Sequence, residues 1–149
     1  MNQTALKEFL DEKVIQYNRA DFISSDPIQI PHQFSKKEDI EISGFLSATI
    51  AWGNRTMIIR NSQRMVDIMD HSPYDFVMNH SEGDLSKIEN FVHRTFNATD
   101  FCFFIKSLQN IYQKYQGLEK ALLPKKNDID YQHAISQFKD LFFELPHEH

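Results

Sequence analysis

Apolar residues recur three or four positions apart along almost the whole chain, so the pattern predicts helices rather than strands. Leu6, Phe9, Leu10, Val14 and Tyr17 fall on one face of a first helix, with Thr4 placed to cap it. Residues 19–34 break the pattern. Ser24-Ser25-Asp26-Pro27 and Ile30-Pro31-His32 favour extended backbone, because each proline crowds the residue before it. The segment reads as a long irregular loop from which Ile28, Ile30 and Phe34 plug the core. A helix-free stretch of this length either carries function or wraps the core.

Ser35-Lys36-Lys37-Glu38 matches a capping box, in which serine and glutamate satisfy orphan N–H groups reciprocally. The helix it opens, 36–52, carries Ile42, Phe45, Leu46, Thr49, Ile50 and Trp52 on a broad apolar face. Gly44, Ala48 and Ala51 make its other side small, and no charge occurs from Ile42 to Asn54. A helix that is apolar or small all round is buried, so this one is expected at the centre of the fold. Gly53 ends it and Asn54 caps the next helix. There Ile58, Ile59, Ser62, Met65, Val66 and Met69 point inward, and Arg60, Gln63, Arg64 and Asp67 outward.

Ser72-Pro73 opens a short helix to Asn79. A further helix over 84–93 would bury Leu85, Ile88, Phe91 and Val92. Thr99 or Asp100 caps a long one lined by Phe101, Phe104, Ile105, Leu108, Ile111, Tyr112 and Tyr115, with Gly117 ending it. A short helix over 118–123 stops at Pro124. A polar turn over 125–128 leads to a last helix bearing Ile129, Ala134, Ile135, Phe138, Leu141, Phe142 and Leu145. The expected fold is all-α, a compact orthogonal bundle of about seven helices around 36–52, with residues 1–149 as a single helical domain.

Composition agrees with an ordinary globular chain: 149 residues, 41% hydrophobic and 25% charged. Four glycines leave little room for a many-turned β-sandwich or a glycine-rich nucleotide fold. The net charge of -5 argues against nucleic acid on average, although a basic patch can sit within an acidic whole. The single Cys102, in Phe-Cys-Phe-Phe, reads as a buried thiol. The N-terminal stretch has no apolar signal core, and no uncharged run is long enough for a bilayer, so a cytoplasmic protein without membrane contact is expected.

No two histidines lie three or four residues apart, and no phosphate loop or nucleophile elbow occurs, so neither a metal nor a cofactor is expected. Asp67 and His71 read as a carboxylate beside a helix C-terminal histidine. The basic grouping of Arg55, Arg60 and Arg64, with Lys36 and Lys37, is open to two readings. It could touch a phosphate backbone, helped by the helix N-terminus at Asn54. It also reads as a solvated helix face with Arg64 paired to Asp67.

Ser-Ser-Asp-Pro-Ile-Gln-Ile-Pro-His-Gln-Phe (24–34) and Asp-Ile-Glu-Ile-Ser-Gly-Phe-Leu-Ser-Ala-Thr-Ile-Ala-Trp-Gly-Asn-Arg (39–55) resemble the uncharacterised bacterial family called domain of unknown function 2400. Ser-Pro-Tyr-Asp-Phe (72–76) and Arg94-Thr95-Phe96-Asn97 carry the same resemblance. The family is in turn similar to the helix-hairpin-helix base-excision DNA glycosylases, whose buried helix carries a Leu-Ser-Ala-Gln-type run. Here Leu46-Ser47-Ala48-Thr49 stands in its place, with threonine where the glutamine that fills the gap of a flipped base would be. The resemblance implies that the chain is the N-terminal part of a longer protein, with the glycosylase hairpin and aspartate beyond His149 and no self-contained active site.

Two functions from different classes follow. The first is the helical N-terminal region of a glycosylase-like protein, contacting nucleic acid weakly through Lys37, Asn54, Arg55 and Arg60. The second is a helical module that binds a protein partner or a second copy of itself. A third reading, a small-molecule enzyme, would use the 24–34 loop and His32.

Overall fold

A computed structural model describes residues 2–124 and 131–147 of the chain. Among these residues the fold is all-α with one small hairpin. The helices are α1 (Gln3–Tyr17), α2 (Ala20–Ile23), α3 (Lys37–Thr49), α4 (Arg55–Ile68), α5 (Pro73–Asn79), α6 (Glu82–Ser86), α7 (Ala98–Tyr115), α8 (Leu118–Leu122) and α9 (Tyr131–Phe142). Single 3-10 turns occupy Pro27–Gln29 and Pro31–Gln33. The strands β1 (Val92–His93) and β2 (Phe96–Asn97) pair antiparallel.

As expected, α3 is the centre of the packing. It touches α4, α5, α8 and both 3-10 turns. Ile42, Leu46 and Ile50 are fully buried there among Met65, Met69, Phe76, Val77, Phe101, Ile105, Leu108 and Ile111. Burying each such side chain contributes roughly 1.5–3 kcal/mol. Gly44 receives Pro31: a Cβ at residue 44 would lie 3.6 Å from the proline Cβ. The 19–34 segment therefore wraps the core, with Ile30 buried, but as α2 and two 3-10 turns rather than a helix-free loop.

The central helix is shorter than 36–52. Lys36 is its N-cap and makes no side-chain capping bond. The helix starts too late for Ser35 to reach its third N–H, so the Ser35–Glu38 box does not form. After Thr49 the chain turns, with the N–H of Ala51 donating to Ala48 O at 3.1 Å and that of Trp52 to Ile50 O at 2.8 Å. Ala51 and Trp52 are exposed in consequence, and Ala48 is exposed on α3 itself.

The first helix departs further from expectation. Asn2 caps it, accepting from the N–H of Ala5 at 2.8 Å, and Thr4 lies inside it. None of its residues is buried, and Leu6, Phe9, Leu10, Val14 and Tyr17 face solvent. Sequence periodicity reports an apolar stripe but not whether the fold supplies a surface to cover it.

The helix expected over 84–93 is only α6, closed at its start by a capping box between Ser81 and Asp84. Ile88 and Phe91 still reach the core, through successive turns. Val92 then opens the hairpin, where strand alternation turns it outward and His93 inward.

Asn97, not Thr99 or Asp100, caps α7. Its side chain accepts from the N–H groups of Thr99 (2.8 Å) and Asp100 (3.2 Å), and Asp100 accepts from the N–H of Asn97 (2.8 Å). Gln116, left-handed at φ 63°, ends α7, and Gly117 follows it at φ 138°. Ser72 precedes Pro73 as expected, but Asp39 supplies the bond to α5, accepting from the N–H of Tyr74 at 2.8 Å.

On α9, Ala134, Phe138 and Phe142 are buried, and Phe142 meets Phe104 edge-on with ring centres 4.7 Å apart. The polar turn expected over 125–128 and Ile129 lie outside the described residues.

Candidate functional site

Two segments about forty residues apart in sequence meet at one corner. The first is the connection Ala51-Trp52-Gly53-Asn54 between α3 and α4. The second is the hairpin over 92–97. Gly53 turns the chain at φ 110°, and Asn54 caps α4 by accepting from the N–H of Met57 at 3.2 Å.

His93 joins the two segments and is 2% exposed. Its Nε2 lies 3.2 Å from the carbonyl oxygen of Trp52. A carbonyl only accepts, so Nε2 carries the proton and Nδ1 is left to accept. It does so from the Asn61 amide nitrogen on α4, at 2.8 Å. One buried imidazole thus ties the hairpin to the corner and to the helix.

Trp52 stands over this tie and is 40% exposed. Its ring meets that of His93 edge-on at 5.9 Å between centres. The guanidinium of Arg94 lies over the same indole, 4.8 Å from the centroid. Arg94 has a left-handed backbone, φ 56°, at the hairpin turn. That conformation costs a bulky side chain on the order of 1–2 kcal/mol, so the surrounding contacts must hold it. Gly53 makes room: a Cβ there would lie 3.0 Å from Arg94 Nη1. Beside the indole opens a groove of ≈ 450 Å³ lined by Trp52, Thr95, Phe96 and Asp100.

Four arginines of α4 and the hairpin lack carboxylate partners, as do Lys36, Lys106, Lys120 and Lys139 among the described residues. Lys7, Lys13, Lys37, Lys87 and Lys114 all pair with carboxylates. Among the described residues, Arg55, Arg60, Arg64 and Arg94 have no carboxylate within 4.0 Å. Arg55 opens α4 and lies 6.0 Å from the Phe22 ring centre. Arg60 contacts the sulfur of Met57 at 3.0 Å. Arg64 donates to the carbonyl of Asn90 at 2.9 Å and lies over Phe91, holding the hairpin's entry. The Arg64–Asp67 pair expected from spacing is absent. Asp67 instead accepts from Gln63 at 2.9 Å and lies 3.4 Å from His71. Four guanidinium groups without carboxylate partners thus stand on one helix and its attached hairpin within a chain of net charge -5.

Of the residues singled out from sequence, Asn54 and Arg55 lie at this corner and Arg60 on the helix that leaves it. Lys37 opens α3, roughly 18 Å of helix axis before its end. It pairs there with Glu119 and with Glu41, and the hydrogen bond to Glu119 holds its pKa above the ordinary 10.5. His32 is exposed on the second 3-10 turn. Sequence reasoning missed Asn61, His93, Arg94 and the exposure of Trp52. Asn61 did leave a signal: it sits at the inward phase of α4, between Ile58 and Met65.

Other chemistry is sparse. Thr49, in the Leu-Ser-Ala-Thr run, donates its hydroxyl to Phe45 O at 2.9 Å. Burial pushes the Cys102 thiol up, which makes it a poor nucleophile. Among the described residues no three His, Cys, Asp or Glu side chains group as a metal site, and no helix is long and apolar enough to cross a membrane.

No curated protein and no solved structure matches this chain. The family model described as protein of unknown function (DUF2400) matches residues 26–149. That match leaves α1 and α2 outside it and takes in both halves of the corner. The chain belongs to the DUF2400 family.

Proposed function

We propose that this chain is a helical nucleic-acid-contacting region of a DNA glycosylase-like protein, and that the Trp52–Arg94 corner is its contact surface. The observation that carries this reading is Arg94, without a carboxylate partner, over a half-exposed tryptophan, with Arg55, Arg60 and Arg64, likewise unpaired, on the helix that leaves the same corner. Guanidinium groups bind phosphates with directed hydrogen bonds, and an accessible indole offers a face to an unstacked base. The N-terminus of α4 adds partial positive charge at Asn54 and Arg55. Phosphate contacts dominate such affinity and release counterions, so binding must weaken steeply with salt.

The test is fluorescence anisotropy of a labelled single-stranded oligonucleotide over a salt series. Binding at low salt that falls steeply as salt rises, and is lost in R55A/R60A, supports the reading. A flat anisotropy at low salt overturns it.

A second reading, self-association, has its own observation. The stripe Leu6, Phe9, Leu10, Val14 and Tyr17 lies exposed on α1. A second copy could cover it by packing the same face. Concentration-dependent sedimentation that Leu10→Lys abolishes supports this, and a monomer at every concentration overturns it.

A further inference from the structure

The groove beside Trp52 carries a second, sharper inference, which rests on the nucleic-acid reading. Its walls differ from the arginines around it. Trp52 and Phe96 are aromatic, Thr95 brings a hydroxyl, and Asp100 brings the only formal charge, a negative one. A phosphate would be repelled there. The groove instead suits a flat, uncharged ring whose edge donates hydrogen bonds.

We infer that this groove is a nucleobase site selective for an unpaired guanine. Asp100 is fixed by accepting from the N–H of Asn97 through Oδ2, which leaves Oδ1 and the second lone pair of Oδ2 to accept from two donors of a ligand. An ionised carboxylate only accepts. Among the bases, guanine presents two adjacent donors on its pairing edge, the ring N1–H and the 2-amino group. Thymine places carbonyls on both sides of its one donor, and adenine and cytosine each set a ring acceptor beside theirs. The indole of Trp52 supplies a surface for stacking, which by itself is tolerant of base identity. Selectivity therefore resides in Asp100, with Thr95 able to donate to or accept from the same edge. Arg94, over the indole, stays free of carboxylates for the adjoining phosphate.

The division of labour is testable with oligothymidine strands carrying one central guanine, one central hypoxanthine, or neither. Hypoxanthine lacks only the 2-amino group. The guanine strand should bind about tenfold tighter than plain oligothymidine, with hypoxanthine between. Asp100→Asn should abolish that preference, while oligothymidine still binds in a salt-dependent way and no more weakly than to the parent. Asparagine can still accept from the N–H of Asn97, so the α7 cap survives, and an unchanged helical circular-dichroism spectrum verifies this. Equal affinity for all three strands, or a guanine preference that persists in Asp100→Asn, overturns the guanine site and leaves the nucleic-acid reading standing. Failure of every strand to bind at low salt overturns both.

Discussion

Arg94 lays its guanidinium 4.8 Å from the centroid of Trp52 while its own backbone is left-handed, at φ 56°. A cation over an indole contributes about 0.5–1 kcal/mol at an exposed site, which is comparable to the cost of that backbone. The two terms nearly cancel. Arg94→Gly should therefore leave chemical-denaturation stability within about 1 kcal/mol of the parent. The emission of Trp52, the single tryptophan, should shift to the red as the indole loses its cover.

Gly53 is less tolerant. Alanine there would have to adopt φ 110° and place its Cβ 3.0 Å from Arg94 Nη1. Gly53→Ala should destabilise the fold by about 1–3 kcal/mol, because the strain adds to displacement of the arginine. Urea unfolding measures it directly. A loss well below that range would mean that the corner relaxes freely.

His93 and Asn61 act as a unit. Replacing either leaves a buried polar group without its partner, at a cost of about 1–3 kcal/mol. Asn61→Leu and His93→Leu should each destabilise by that amount. Their double mutant should lose less than the sum, since the second change removes a group already orphaned. Strict additivity would show that the 2.8 Å contact is not an energetic one.

A second buried joint gives the fold a pH dependence. Glu41 Oε2 accepts from the Tyr112 hydroxyl at 2.7 Å and from the N–H of Leu118 at 3.1 Å, tying α3 to α7 and α8. Burial first, and then the hydrogen bond to Glu41, hold the Tyr112 hydroxyl well above its ordinary 10.0. The folded state therefore keeps the phenol protonated where the unfolded chain would ionise it. The stability this contributes is full below about pH 10 and declines above it. Tyr112→Phe should cost roughly 1.5–3 kcal/mol at neutral pH and flatten the alkaline decline in thermal midpoint.

Much of this architecture is legible in the sequence, for a physical reason. The segments 42–50, 58–69 and 101–112 carry apolar residues at helical spacing that the fold buries, so period and packing agree. The same spacing misleads at α1, because Leu6 and Phe9 have the right phase but no surface to meet. The hairpin leaves no sequence pattern, because two-residue strands are too short for alternation to register. Trp52 has a core-like residue type, but the helix stops at Thr49, so the apolar phase of α3 does not extend to it. Asn54 and Arg55 were visible as a cap and a cation. The tie between Trp52 O and His93 spans 41 residues, and no local pattern encodes it.

Nucleic-acid contact at the corner built by Trp52 and Arg94 is the proposal on which the rest depends. Trp52 reports on it without a label, being the single tryptophan and half-exposed at the proposed surface. The most direct measurement is its emission during titration with single-stranded oligonucleotide at several salt concentrations. Contact at Trp52 should give a saturable change whose dissociation constant rises steeply with salt. In Arg94→Ala the logarithmic salt slope should fall by about one. Emission that stays constant at low salt up to high oligonucleotide concentration, or binding indifferent to salt and to Arg94→Ala, would contradict it.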